Sequence, residues 1–432
     1  MEEYLSILIL IVSFIILMGI GVPVAWALGF SSFLTLTVTI ASVPSATTIA
    51  QRMGVGLDSF ALLAIPFFIL AGEIMNKGGI ANRLIDLAKA MTGKLPGGLL
   101  YVNVIAAMLF GAIAGSAAAA ASAIGGILGP RMEKEGYPRE LGAAVNITAS
   151  TTGLIIPPSN VLIVYSLASG GVSIAALFIA GYIPGLLIGL FLMITAAIFI
   201  KKHNLKPGEP TSAKELGTKF LAAFPSLMLL VVVIGGIVVG VFTATEASAI
   251  AVVYTLVLSF IYGEIKIKNL PSILLKSSET TAIVMLLIAT SMSMSWAMSS
   301  ENIPQSISSA LLTMSDNKFV ILIMINLILL FVGTFMDMTP AVLIFTPIFL
   351  PAVVTLGIDP IHFGIMMVLN LCIGVCTPPV GSVLFVGVGV AKTTIAKVFF
   401  PLLPFFLAML LGLLLITLIP ELTLWLPSVF GL

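Results

Sequence analysis

The chain has 432 residues, of which 59% are hydrophobic and only 9% are charged, and its mean hydropathy is +1.22. This composition excludes a soluble globular protein. It predicts an all-α polytopic membrane protein, because apolar runs of about 20 residues, the length of a membrane-spanning helix, recur along the chain. The formal net charge of +1, without a basic stripe interleaved with aromatic residues, argues against a nucleic acid as partner and leaves the lipid bilayer as the expected environment.

The first apolar run, 4–40, is expected to be retained in the membrane. It follows Glu2 and Glu3, where a secretory signal would carry positive charge.

The orientation in the membrane follows from the positions of Lys and Arg, which are common in cytoplasmic loops and rare in external loops. Every basic residue except Arg52 and Lys318 falls in one of five clusters, which we assign to the cytoplasm and which place the N-terminus in the periplasm. These clusters are 77–94, 131–139, 201–219, 266–276 and 392–397.

Between the first two basic clusters lies an apolar segment, 99–130, that is long enough to enter the membrane and return. Since both of its flanks are assigned to the cytoplasm, it predicts a re-entrant hairpin that opens inward. The segment 137–168 then predicts a span running outward, and 172–200 predicts a span running back. A polar, lysine-rich stretch, 203–219, follows as a cytoplasmic linker and divides the chain.

The second half of the chain, 220–432, begins with three spans that leave Lys318 outside. The apolar segment 320–350 is then predicted to be a hairpin that opens outward, since the loop after it carries no Lys or Arg. Two more spans complete this half, with 363–390 running inward and 399–419 running outward.

The two halves, 1–202 and 220–432, are related by a fixed offset. Placing Pro158 on Pro379 gives an offset of 221 residues, and each half then carries apolar spans, an amphipathic stretch, a hairpin and a proline-broken span in the same order. Because the two hairpins face opposite sides, the sequence predicts an inverted repeat. Inverted repeats build secondary transporters, whose sites lie at the repeat interface near the membrane midplane.

Each broken span contains two adjacent prolines, in TTGLIIPPSN (151–160) and in CIGVCTPPVG (372–381). Two prolines in a row open a helix and expose backbone carbonyls, which survive in lipid only where they line a cavity or hold an ion. Broken helices of transporters bind Na⁺ in this way, so Na⁺ is the expected cofactor. The alternative is that the prolines only kink the helices and that small residues allow close helix packing.

Small and oxygen-bearing residues surround both breaks and both hairpin tips, as a hard cation or a polar substrate would require. The residues near the breaks that we take as candidates for substrate binding are Asn146, Ser150, Thr151, Ser159 and Asn370.

The roles of three acidic residues can be considered from their positions in the sequence. Asp337, on the outer hairpin, is the acidic residue placed deepest, and it is either a sodium ligand or a cap of the hairpin's second half-helix. Glu246 follows a Thr-Ala-Thr stretch at the start of a span and is expected to support the helix start. Glu73 precedes Lys77 by one helical turn, so an ion pair between them is expected.

At these residues the sequence resembles the large membrane subunit of the TRAP transporters, the tripartite ATP-independent periplasmic family, over essentially its whole length. The strongest marks are GSAAAAASAIGGILGPRMEKEGYP (115–138), GLIIPPSNVLIVY (153–165), GVFTATEASA (240–249) and TPIFLPAVVTLGIDPIHFGIMMVLNLCIGVCTPPVGSVLFV (346–386). The last of these is the most specific.

The resemblance implies an elevator-type transporter of the bacterial inner membrane, in which a domain with both hairpins and both broken helices slides against a fixed scaffold. It implies Na⁺-driven uptake of an organic acid that a periplasmic substrate-binding protein delivers, together with a small four-span membrane subunit. The amphipathic stretches 80–91 and 301–312 then fit arms between scaffold and moving domain, although ordinary interfacial helices fit as well. Carried onto this chain, the resemblance implies one Na⁺ site at Gly115, Ser116, Gly153, Ile156 and Pro158, and a second at Gly333, Asp337, Gly374, Cys376 and Thr377.

The substrate stays open between a C4-dicarboxylate and a sugar acid such as sialic acid, because no Arg lies in the threaded core to bind a carboxylate. A stand-alone sodium-coupled carboxylate carrier of related fold is the nearer alternative, and an ion channel or an intramembrane enzyme is more distant. A channel would show a ring of charges or a filter motif. A hydrolytic enzyme needs a base beside a nucleophile, yet His203 lies in the linker and His362 at the outer loop. We therefore expect a secondary active transporter and not an enzyme.

Overall fold

The computed structural model describes residues 2–92, 95–203, 205, 207, 212–315 and 317–432. Over these residues the regular secondary structure is helical, apart from an isolated bridge between Pro96 and Pro207. Lys94 and Lys206, two of the basic residues that support the orientation, lie outside the described residues, as does the part of the linker at 208–211. Eight of the described helices are long and apolar enough to cross a membrane, so the protein is a polytopic, all-helical membrane protein.

The described helices of the first half are α1 (Glu2–Gly19), α2 (Val24–Leu36), α3 (Ser42–Leu57), α4 (Ala64–Lys77), α5 (Ile80–Thr92), α6 (Gly98–Ala114), α7 (Ala117–Lys134), α8 (Arg139–Thr152), α9 (Asn160–Ala168) and α10 (Ile174–His203). Those of the second half are α11 (Ala213–Val238), α12 (Ala244–Ile261), α13 (Leu270–Ser300), α14 (Ile303–Met314), α15 (Lys318–Phe335), α16 (Met338–Thr355), α17 (Pro360–Gly374), α18 (Ser382–Val390), α19 (Ile395–Leu418) and α20 (Glu421–Val429).

Both predicted hairpins are pairs of helices joined by a very short turn, α6 with α7 and α15 with α16. That they are re-entrant stays a prediction. Both predicted breaks are present, since 153–159 separates α8 from α9 and 375–381 separates α17 from α18. The two Pro–Pro bonds in these breaks are cis. The amphipathic stretches also form helices, α5 and α14, one before each hairpin.

Some helix bounds differ from the expectation. The first apolar run forms two helices, because Gly21, with φ +86°, and Pro23 end α1 and begin α2. The linker is shorter than predicted: Ser212 caps α11, its hydroxyl accepting from the Glu215 N–H at 3.1 Å, so 213–219 is helical. The short helix α20 was not predicted.

The expected role of Glu246 at the start of a helix is confirmed. The Glu246 N–H donates to the Thr243 hydroxyl at 3.2 Å, and the Thr243 N–H donates to the Glu246 carboxylate at 2.8 Å. This reciprocal pair satisfies two N–H groups that the first turn of α12 would otherwise leave unpaired.

Helix bounds recur with the offset that relates the two prolines. α7 and α16 begin and end 221 residues apart, and so do the starts of α8 and α17 and the starts of α10 and α19. The division into two inverted halves stays a prediction that this recurrence motivates.

Helix packing separates two groups. The peripheral group consists of α1–α4 and α11–α13, and the central group consists of α6–α10 and α15–α20. Within the central group each hairpin packs on helices from both halves: α7 packs on α8 and α18, and α16 packs on α17 and α9. The groups contact each other directly, α4 on α6 and α13 on α16, and two further helices pack on both groups: α5 contacts α11 and α6, and α14 contacts α13 and α16. The central group therefore places both hairpin tips against both breaks.

Candidate functional site

The tip of the first hairpin lies against the start of α9. Gly115 has φ +62°, a left-handed conformation that favours glycine, and a Cβ there would lie 2.7 Å from Asn160 Nδ2. The next residue, Ser116, is the N-cap of α7, and its hydroxyl accepts from the Ala119 N–H at 3.3 Å. The left-handed turn at Gly115 therefore places the tip, including the Ser116 hydroxyl, next to the first turn of α9.

The tip of the second hairpin also has a helix N-cap residue at its turn, but here this residue is acidic. Asp337 lies 221 positions after Ser116 and is the N-cap of α16, but its side chain makes no capping hydrogen bond. Its carboxylate instead lies near the hydroxyl of Ser382, in the first turn of α18. Asp337 holds the N-cap position and its carboxylate also lies near the Met338 N–H, so both predicted roles of Asp337 stay open.

Two glycine pairs hold the hairpins onto the broken helices. A Cβ on Gly111 would lie 2.9 Å from Gly153 Cα, and a Cβ on Gly374 would lie 2.6 Å from Gly333 Cα. Real Cβ atoms essentially never approach backbone so closely, so Gly111, Gly153 and Gly374 leave no room for a side chain, and a Cβ on Gly333 would lie 3.0 Å from Gly374 Cα. The predicted residues Gly153, Gly333 and Gly374 thus set the spacing between hairpin and break, one turn behind the tips.

A cavity of about 360 Å³ lies where the two tips and the two short half-helices meet. Its polar lining from the central group consists of Ser116, Asn160, Asp337, Thr339 and Ser382. Asp337 and Ser382 are exposed to this space, while Ala117, Met338 and Val383 beside them are buried. The cavity therefore combines a few converging polar groups with a largely apolar lining, the usual form of a small-molecule site.

The opposite wall of this cavity belongs to the peripheral group. It consists of residues of α4 and α13, among them Glu73, Asn76 and Thr280. The predicted ion pair between Glu73 and Lys77 is wrong: it is not among the ion pairs that the described residues form. Their spacing along α4 permits a pair, but the packing of α4 directs Glu73 to the cavity. The cavity thus lies on the boundary between the two helix groups.

The remaining residues of the two predicted Na⁺ sites lie behind the cavity wall. Ile156 and Pro158 are buried in the first break, and Cys376 is buried in the second, where its thiol donates to the Ile147 carbonyl at 3.4 Å. Thr377 donates its hydroxyl to the Ile373 carbonyl at 2.8 Å. Each of these residues can offer only its own carbonyl oxygen, or the second lone pair of a hydroxyl, to a cation.

The five predicted substrate residues are buried, and none of them lines this cavity. Their polar groups are engaged nearby: Ser150 and Thr151 donate to carbonyls of their own helix at 2.6 and 2.9 Å, and Ser159 caps α9. Asn146 donates to the Ala121 carbonyl and Asn370 to Asn326, at 2.8 and 2.7 Å. Their role in substrate binding stays a prediction.

The residues that sequence reasoning missed are Asn160, Ser382 and Asn76. Asn160 is the second residue after the prolines in PPSN, and Ser382 follows Gly381 in PPVGS. A polar residue in the first turn of a half-helix points to a ligand that meets the helix end, and this signal could have identified both. Nothing in the sequence around Asn76 distinguishes it from a residue of an ordinary span.

The donors around the tips fit Na⁺. They are hydroxyl, carboxylate and carbonyl oxygens, the ligands that hard cations prefer. Helix ends at the tips and breaks also leave carbonyls without helical partners. The donor set agrees with the predicted cofactor, and Na⁺ itself stays a prediction.

Two hairpins and two interrupted helices around one polar cavity, in a polytopic helical protein, define a membrane transport protein. The chain belongs to the family described as the tripartite ATP-independent periplasmic transporter, DctM component, whose model matches residues 11–422. The resemblance seen in the sequence is therefore confirmed, and this chain is a large permease subunit of that family and not an enzyme.

Relatives match along almost the whole chain. The uncharacterized protein YgiK of Salmonella typhimurium is 54% identical over 99% of both chains. The C4-dicarboxylate TRAP transporter large permease protein DctM of Rhodobacter capsulatus is 38% identical over 99% of this chain and 100% of its own. The sialic acid TRAP transporter large permease protein SiaM of Vibrio cholerae is 36% identical over 95% of this chain and 96% of its own. Close relatives thus carry names with different substrates.

A solved structure has a similar fold. The YdaH transporter of Alcanivorax borkumensis superposes with a TM-score of 0.66, covering 91% of this chain and 90% of that chain, at 14% identity. At this identity the likeness concerns the fold alone.

Proposed function

We propose that this chain moves an organic acid, a C4-dicarboxylate or a sugar acid such as sialic acid, into the cell with Na⁺ as the driving ion. A periplasmic binding protein delivers the substrate, and a small membrane subunit extends the peripheral helix group. The observation that carries the proposal is the polar cavity to which both hairpin tips and both short half-helices contribute. The family description, which names a three-part periplasmic transporter, supports the partners.

The cavity suits an organic anion because the N-terminal ends of α7, α9, α16 and α18 all contribute to its lining. Helix N-termini carry unpaired N–H groups and the positive end of the helix dipole, and both favour a negative ligand. Neither Lys nor Arg is among the described residues of the lining, so these helix ends supply the attraction. Hydroxyl and amide groups at Ser116, Asn160 and Ser382 then orient the bound acid.

Two acidic residues make binding depend on a cation. Asp337 from the central group and Glu73 from the peripheral group line the same cavity, and both carboxylates repel an incoming acid. Ser116, Asp337 and the carbonyls of the tips and breaks would hold Na⁺. The bound ion supplies the positive charge that compensates the carboxylates. This arrangement supports sodium coupling through electrostatic compensation.

The attachment of the two arms supports a movement of the central group against the peripheral group. The Glu301 carboxylate, at the C-terminal cap of α13 and two residues before α14, accepts from the hydroxyls of Ser6 and Thr39, both at 2.8 Å. Lys219 of α11 pairs with Asp86 of α5 at 2.8 Å. The arm α5 is thus paired with the peripheral group, and the arm α14 follows a helix end that is fixed within that group. Both arms pack on a hairpin, which supports an elevator-type motion in which the arms pivot.

The test is uptake into proteoliposomes that contain this chain and its small subunit. Labelled succinate and labelled sialic acid are offered with and without the cognate binding protein, and with and without an inward Na⁺ gradient. Uptake of one of the two acids that needs both the binding protein and Na⁺ is expected. Uptake without the binding protein would favour the stand-alone carrier, and uptake that ignores the Na⁺ gradient would reject the sodium coupling.

A further inference from the structure

A second cavity, of about 260 Å³, lies inside the central group, between α6, α7, α8 and the C-terminal end of α18. It shares no lining residue with the first cavity. Arg139 and Lys392 lie at its mouth and belong to two of the basic clusters, so the cavity opens on the side that the basic residues assign to the cytoplasm.

The inner wall of the second cavity carries two amide side chains with unpaired oxygens. Asn103 and Asn146 are only 1% and 3% exposed, and the Oδ1 atom of each has no hydrogen-bond partner among the residues that the structure describes. The Nδ2 group of Asn146 donates to the Ala121 carbonyl at 2.8 Å, which fixes the orientation of this amide. A buried polar atom without a partner costs about 1–3 kcal/mol, so two of them on one cavity wall indicate a ligand that donates hydrogen bonds.

The mouth of the second cavity has a net positive charge. Arg139 pairs with Glu133 at 2.7 Å and donates to the Lys392 carbonyl at 3.3 Å. Lys392 is exposed, and no ion pair involving it occurs among the described residues. Because Arg139 and Glu133 balance each other, Lys392 supplies the uncompensated charge.

We propose that the second cavity binds a small hydroxylated carboxylate. Its hydroxyl groups donate to the amide oxygens of Asn103 and Asn146, and its carboxylate pairs with Lys392 at the mouth. A metal cation fits less well, because the two inner oxygens are neutral and the mouth is positive. The volume of about 260 Å³ lies just below the usual lower limit of about 300 Å³ for small-molecule sites, which suits an acid of about six carbons or fewer.

The experiment follows a cysteine placed in the cavity of the purified chain with its small subunit. Gly129 lines the cavity, and a Cβ there meets nothing within 4 Å, so Gly129→Cys is accommodated. Gly126→Cys is the matched control, since Gly126 also has open space but does not line the cavity. The native Cys372 and Cys376 are fully buried, which keeps background labelling low. The readout is the rate of modification by a maleimide, with and without gluconate.

Gluconate is expected to slow modification of Cys at position 129 by about tenfold at ten times its Kd, since protection follows 1 + [L]/Kd. Modification at position 126 should not change. Hexanoate, which has the same carbon chain without hydroxyls, should protect far less, and Asn103→Leu should abolish protection by gluconate. Asn160→Leu, in the first cavity, should leave protection intact.

Three results would overturn the proposal. The first is an unchanged labelling rate in gluconate, which would mean that the cavity holds only water. Equal protection by hexanoate would remove the role of the hydroxyl groups. Protection by NaCl alone would assign the cavity to a cation.

Discussion

The crossing of α15 over the end of α17 makes Gly374→Ala an informative change. The new Cβ would lie 2.6 Å from Gly333 Cα and 2.8 Å from its carbonyl carbon, both backbone atoms that no side-chain rotation can move away. Carbon atoms prefer a separation of about 3.5–4.0 Å, so the two helices must separate by about 1 Å. Overpacking of this kind costs about 1–3 kcal/mol. A displacement of 1 Å at a binding site lowers rates by up to about a hundredfold, so we expect uptake to fall about tenfold to a hundredfold.

The assay compares Na⁺-dependent uptake and thermal stability of Gly374→Ala with those of Gly389→Ala in proteoliposomes. A Cβ on Gly389, in α18, meets nothing within 4 Å, so this control should transport normally. Alanine is also the better helix former by about 1 kcal/mol, and any loss at position 374 is therefore a lower limit of the packing cost. Normal uptake and normal stability in Gly374→Ala would refute the argument that this crossing sets the geometry of the tip.

Three further changes test other parts of the molecule. Asp337→Asn removes the carboxylate from the second tip, so the Na⁺ concentration for half-maximal uptake should rise severalfold; an unchanged sodium dependence would exclude Asp337 as a ligand. Thr243→Ala removes the capping box of α12 and should lower the unfolding free energy by about 0.5–2 kcal/mol with little effect on uptake. If Thr243→Ala were as stable as the wild type in thermal unfolding, the stabilising role of this cap would be contradicted. Tyr165→Phe removes the hydrogen bond to the Pro360 carbonyl, 2.6 Å long, which joins the two halves; a loss of about 0.5–1.5 kcal/mol is expected, and an unchanged melting temperature would count against it.

The sequence was sufficient where the physical cause is local. Adjacent prolines cannot continue a helix, and both breaks lie where the Pro–Pro pairs predict them. Thr243 and Glu246 have the spacing of a capping box, and the cap forms. Glycine, serine and aspartate at the hairpin tips marked the turns for the same reason, since each residue favours a turn or a helix start.

Contacts between distant segments could not be predicted in this way. The i,i+4 spacing of Glu73 and Lys77 permits an ion pair, but the packing of α4 against the hairpins directs Glu73 to the cavity. Ser150 and Thr151 look available in the sequence, yet in a helix their hydroxyls reach the carbonyls of the preceding turn and donate there.

By itself the sequence determined a polytopic helical protein with two proline breaks, and its resemblance to a family identified the family correctly. Hydropathy, proline chemistry and helix capping all depend on residues that are close together in the chain, so a single amino-acid sequence is enough to predict their effects. Only the tertiary structure decided that Asn160 faces the tip at Gly115, that Ser382 lies near Asp337, and that α4 closes the cavity. These contacts join segments far apart in the chain, and they depend on how helices pack, which no local pattern specifies.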